Sequence, residues 1–157
     1  MTLVANTGAW VSRLSLRECD ELYRVRELIE PLLLQYNAPN LAPDAIERLK
    51  VIAEEMATSR DVDRFLELDR EFHLACYAGA ETLMLGDTVQ RLWNTTQHYR
   101  RAYTLLLDHD KNRIVHDEHH MLVTAIENGD VDDAARVLLG HIRRTRLELA
   151  RHPEIFV

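Results

Sequence analysis

From Leu16 onward the apolar residues recur at intervals of three and four, and almost nothing alternates with the period of two that a half-buried strand needs. A chain with that periodicity must bury helix stripes against helix stripes. Leu22, Val25, Ile29, Leu32, Leu33 and Tyr36 mark the first stripe, on a long helix that Pro31 should kink or divide. The run NAPNLAP from Asn37 to Pro43 is the clearest break. Pro43 suits the first turn of a second helix reaching about Met56, with Ile46, Leu49 and Ile52 inward. A third helix, capped by Ser59 or Asp61, ends near Gly79. A fourth covers Leu83 to about Leu107, with Val89, Trp93, Thr96, Arg100, Tyr103 and Leu107 on one stripe. An arginine and two hydroxyls within that stripe imply a polar cavity. A fifth runs from about Lys111 to Glu127 and stops at Asn128-Gly129. Asp130 caps a sixth, with Asp133 completing a carboxylate variant of the capping box. Arg143, Arg144 and Arg146 stand toward its C-terminal end, where cations suit the helix dipole. The expected fold is all-α, an antiparallel bundle of about six to seven helices.

Length and composition narrow the function. The 157 residues suit one domain with a real core, and the 46% hydrophobic and 29% charged shares are ordinary for a soluble protein. No stretch approaches the roughly 18 apolar residues of a membrane span, and the N-terminus lacks a signal-peptide pattern. A cytoplasmic protein is expected. The net charge of −7 argues against this chain gripping DNA by itself. Cys19 and Cys76 form neither a CxxC pair nor a disulfide framework, and Cys76 reads as a core residue. Eight histidines, by contrast, are many for this length.

The stretch LELDREFHLACY, from Leu66 to Tyr77, gives those histidines a context. Asp69 and His73 are four residues apart and so share a helix face with Leu66 and Cys76, which points the pair inward. On the fifth helix His119 shares a stripe with Val115, Leu122 and Ile126, and on the sixth His141 shares one with Ala134, Leu138 and Thr145. One Asp and three His converging in a bundle are a ligand set for a divalent transition metal, with Zn first and Ni, Mn or Fe as alternatives. A lone inward histidine is more often a hydrogen-bonded core residue, and Asp69 with His73 would serve equally as an intrahelical salt bridge. Three helices each pointing a ligand type inward weigh against both. His116 and His120 compete with His119, which only the stripe favours. Four ligands leave coordination positions open to water, a substrate or a small carboxylate.

Three segments in this order, ELYRVRELIEP at 21–31, ELDREFHLACY at 67–77 and DEHHMLVTAIENGDVDDAARVLLGHI at 117–142, resemble the ligand-binding domain of GntR-type bacterial transcription regulators of the FadR subfamily, the FCD domain. The resemblance runs from about Leu16 to His152. It implies an all-helical bundle holding a metal through Asp69, His73, His119 and His141, the same four residues the stripes select. It also implies a small organic acid as effector, with Arg26 as an effector-binding candidate, and the polar stripe of the fourth helix adds Arg100 and Tyr103 as candidates beside it. A solvated or salt-bridged Arg26 is the plainer alternative. A homodimer is expected. Residues 1–15, where LVANTGAWV gives a hairpin signal, resemble the remnant of a winged helix-turn-helix wing and a linker, and 16–157 the FCD effector-binding and dimerisation domain. The family's recognition helix has no counterpart in these residues, so operator DNA is expected as a partner only through a winged helix-turn-helix that they do not contain. Ala80, Glu81 and Thr82 stand where the family often has an Asn-Pro pair. The rival reading is a metal-dependent hydrolase or oxygenase. Against it, the chain has no HExxH, no paired Glu-x-x-His motifs, no nucleophile elbow and no Gly-rich phosphate loop.

Overall fold

A computed structural model of the chain describes residues 2–3, 10–11, 15–107 and 112–156. Six α-helices carry them: α1 (Leu16–Asn37), α2 (Pro43–Thr58), α3 (Val62–Tyr77), α4 (Leu85–Leu106), α5 (Arg113–Glu127) and α6 (Val131–Ala150). Single 3₁₀ turns follow α1 at Ala38–Asn40 and α6 at Pro153–Ile155. Ahead of α1, β1 (Thr2–Leu3) and β2 (Trp10–Val11) pair antiparallel, with Thr2 opposite Val11. The expected turn of that hairpin, at Asn6 to Gly8, lies outside the described residues, as does Lys111, the expected start of α5. Among the described residues no helix is long and apolar enough to cross a membrane.

Local chemistry accounts for most helix ends. Ser15 and Glu18 close a reciprocal capping box on α1, at 3.1 and 3.2 Å. Pro43 starts α2 without a side-chain cap. Asp61, rather than Ser59, caps α3 by accepting from the amides of Asp63 and Arg64. Helix α5 ends in a Schellman arrangement: the Asp130 amide bonds Ala125 O at 3.0 Å, the Gly129 amide bonds Ile126 O at 3.1 Å, and Gly129 supplies φ of +71°. That arrangement corrects one expectation. Asp130 does cap α6 through the Asp133 amide, but its own amide is already given to Ala125, so the reciprocal half of a capping box has no donor left. Thr82, in the segment that departs from the family pattern, accepts from the Gly86 amide at 3.0 Å in the first turn of α4.

The core lies where α1 packs on α6, α4 and α3, while α2 joins α3 to α5 and α5 lies on α6. Leu34, Ile52, Met56, Leu68, Phe72, Trp93, Ala134 and Leu138 are fully enclosed there. Pro31 does not end α1, which runs through it. The expected apolar stripe of α1 is turned relative to the structure. Val25, Leu32 and Tyr36 are exposed, whereas Cys19, Tyr23, Arg26, Glu30, Leu33, Leu34 and Asn37 face in. The cause is that three buried polar side chains on this helix are paired inside. Arg26 bonds Glu30, and Asn37 donates to Cys76 O at 2.8 Å, so polarity marks the interior there. The arginines of α6 also differ from expectation, because none occupies its last turn. Arg146 is buried and reaches Glu27 at 2.6 Å and Asp20 at 3.2 Å on α1. Cross-helix ion pairing takes the place of the dipole effect.

Candidate metal centre

Helix α3 delivers Asp69 and His73 from consecutive turns of its buried face, α5 delivers His119 and α6 delivers His141. Each of the four offers a ligand atom, all lie within 4.8 Å of one another, and all four side chains are buried. Asp69 Oδ1 stands 3.3 Å from His73 Nε2 and 3.3 Å from His119 Nε2. The three imidazoles face one another with centroids 4.9 to 5.3 Å apart. The competing histidines fall elsewhere. His120 is exposed, 3.9 Å from Glu54, and half-buried His116 stands edge-on to Phe65.

Electrostatics keep these rings neutral, which is the form in which an imidazole binds a metal. Burial lowers the pKa of His73 to about 4. Burial, together with the neighbouring rings of His141, His73 and His116, holds His119 well below the ordinary histidine range. His141 is lowered by burial as well, against the pull of Glu118. The ring nitrogens of His73 and His119 have no hydrogen-bond partner although they are buried. Orphaned buried nitrogens are costly. A divalent ion within reach of Asp69 Oδ1 and these nitrogens would satisfy them, so the donor set fits a transition metal of N and O preference.

Charged groups brace the four from outside. Arg100 Nη2 contacts the outer oxygen of Asp69, Oδ2, while its Cζ lies 4.3 Å over the Trp93 ring. Its Nη1 is buried without a partner, and burial brings the guanidinium pKa down to about 10. Glu118, beside His119 in sequence, accepts at 3.2 Å from His141 Nδ1 and is gripped by Arg144 at 2.9 and 3.0 Å. Burial would raise its pKa, but hydrogen bonds from His141 and Arg144 prevail and hold it at about 2. A third acid, Glu30, is wholly enclosed. It accepts from Arg26 at 2.5 Å and from Tyr77 and Trp93 at 2.8 Å each. Trp93 in turn packs on His73, with ring centroids 5.1 Å apart.

Of the effector-binding candidates, Arg26 is thus buried and spent on Glu30, stacked 4.6 Å over Trp93. Arg100 borders the four directly. Tyr103 stands further out, lining a cavity of about 500 Å³ with Glu118, Arg144, Arg151 and His152. Sequence reasoning passed over Glu30, Glu118 and Arg144. The signals were present: Glu30 follows Arg26 by one turn, and Glu118 sits inside the DEHH run on the same buried face as Leu122.

Residues 21–144 match the FCD domain, and the chain belongs to that family. Among solved structures it is similar to a transcriptional regulator, a GntR family member, from Pseudomonas syringae pv. tomato str. DC3000, at 22% identity and a TM-score of 0.80, covering 98% of this chain and 64% of that one. It is also similar to E. coli McbR/YncC, at 20% identity and a TM-score of 0.80, covering 95% of this chain and 76% of that one. Both likenesses establish the all-α fold, and this chain spans about two thirds of the Pseudomonas regulator. Comparison with curated proteins gives no match. The rival hydrolase or oxygenase reading gains no support from these comparisons.

Proposed function

We propose that this FCD domain is the effector-sensing and dimerising part of a metabolite-responsive bacterial transcription regulator, acting in the cytoplasm. It holds a divalent transition metal, zinc in the first place, through Asp69, His73, His119 and His141, and takes up a small organic acid beside it. The observation that carries this reading is the convergence of one carboxylate and three buried imidazoles, four of whose ring nitrogens, on His73 and His119, make no hydrogen bond. When bound, the metal supplies a Lewis-acidic point with positions open to a carboxylate.

The chain's own residues add the rest. Arg100 is the better placed of the two candidate arginines for the acid, because one amino group remains unpaired; Arg26 anchors Glu30 behind Trp93. Tyr103 marks the cavity side from which a ligand would approach. Residues 1–15 are read as the end of a winged-helix wing and a linker, so operator binding belongs to a DNA-binding part ahead of them. Effector binding regulates only if it favours one arrangement of the dimer over another, through differential affinity for the two. The dimer reading is supported by the outer face of α1, where Val25, Leu28, Leu32 and Tyr36 are 39 to 73% exposed at helical spacing.

The test combines metal analysis with thermal unfolding. Protein purified without chelator is expected to contain about one divalent ion per chain. Stripping the metal should lower Tm by several degrees, and zinc or nickel should restore it. Small dicarboxylates and hydroxy acids should raise Tm further in the metal-loaded protein only. Metal-free protein indifferent to zinc, nickel and manganese would overturn the metal assignment.

A further inference from the structure

A metal-binding imidazole is useful only if the correct nitrogen carries the lone pair, and the hydrogen bond at the other nitrogen decides which that is. His73 and His119 have no such bond on either nitrogen, whereas His141 has one. Its Nδ1 lies 3.2 Å from Glu118 Oε2. A carboxylate can only accept, so Nδ1 must donate and Nε2 keeps its lone pair. Arg144 holds both oxygens of the same carboxylate in a two-pronged grip, Nε on Oε1 and Nη2 on Oε2. Room for that grip comes from Gly140. A Cβ there would stand 2.8 Å from Arg144 Nη2 and 3.4 Å from its Cζ. A glycine inside a helix is less favourable than an alanine, and here it leaves space for the Arg144 guanidinium beside α6.

We propose that Glu118, clamped by Arg144 across Gly140, is the positioning residue for His141, fixing its ring with Nδ1–H toward Glu118 and Nε2 as the ligand atom facing Asp69, His73 and His119. The inference rests on the metal reading above for its consequence, but the tautomer it assigns holds with or without a metal. Arg144 is half exposed on the wall of the cavity that Tyr103 and His152 also line, so the clamp can be altered from the solvent side without touching the core.

The experiment uses the whole chain with zinc as the only probe. Zinc affinity is measured by competition with a chromophoric chelator, and the protonated nitrogen of His141 is read by nitrogen-15 NMR of the histidine side chains, with and without zinc. In the wild type His141 is expected to carry its proton on Nδ1 in both states. Glu118→Ala should weaken zinc binding by about 10- to 100-fold and release the tautomer preference. Glu118→Gln, whose amide oxygen still accepts from Nδ1–H, should recover part of the loss. Arg144→Ala and Gly140→Ala, which spare the buried carboxylate, should each weaken zinc binding a few-fold while leaving the helical circular dichroism intact. Wild-type zinc affinity in Glu118→Ala, or a proton on Nε2 of His141 in the wild type, would overturn the positioning role while the metal site stood. A wild-type protein that takes up no zinc, with His141 still protonated on Nδ1, would sink the metal reading and reduce the Glu118 contact to a core hydrogen bond.

Discussion

Glu30 is the acid on which the interior beside the candidate metal centre depends. Its carboxylate has no contact with solvent and is held by Arg26, Tyr77 and Trp93. Removing one partner of a buried ion pair strands the other charge, at a cost of about 3 to 5 kcal/mol. Glu30→Ala should therefore lower the urea unfolding free energy by about that amount, and the double change Arg26→Met with Glu30→Leu should recover much of it. If Glu30→Ala costs under about 1 kcal/mol, the carboxylate is not paired as the structure places it. The pH dependence follows. Burial raises the pKa of Glu30, but Arg26 and the Trp93 hydrogen bond outweigh it and bring it below the ordinary 4.5. A carboxylate whose folded pKa is depressed stabilises the fold fully above its unfolded pKa and loses that contribution as pH falls through the folded value. Urea midpoints should therefore drop below about pH 4.5, and the acid-side slope should be shallower in Glu30→Gln, which has no proton to take up.

At the scale of elements, the ends of α3 and α5 matter most because those helices carry three of the four candidate ligands. Asp61 satisfies two amides at the start of α3, so Asp61→Ala should cost about 1 kcal/mol and Asp61→Ser much less. Gly129 adopts φ of +71° with open space around its Cα. Gly129→Ala meets no clash and is charged only for the left-handed backbone, about 1 to 2 kcal/mol, whereas Gly129→Asn should cost less, since asparagine tolerates that region. Chemical denaturation of the four variants checks the order, and equal losses for alanine and asparagine at 129 would contradict the cap geometry.

For the whole molecule, the exposed ridge of Val25, Leu28, Leu32 and Tyr36 along α1 is the feature a lone domain has least use for. Leu28→Glu with Leu32→Glu should leave helix content unchanged and convert the expected dimer to monomer, as read by light scattering after size exclusion. A wild type that is already monomeric at tens of micromolar would refute dimerisation by this chain. The overall charge of −7 acts at the same scale. It disfavours contact with a polyanion such as DNA through this domain.

The sequence by itself determined the bundle class and the four residues of the candidate centre, because a period of 3.6 decides which side chains share a face before any helix is packed. His119 was separable from His116 and His120 on that ground alone, and Asp130 was legible as a cap. The inward face of α1 was not, since Arg26, Glu30 and Asn37 are interior only by virtue of partners on α3 and α4. Glu118 and Arg144 were hidden for the same reason: 26 residues separate them, and neither one's spacing foretells the other. Only the tertiary structure decided those pairings. Periodicity reports what one helix would bury, whereas the burial of a charge depends on which opposite charge another helix brings to meet it.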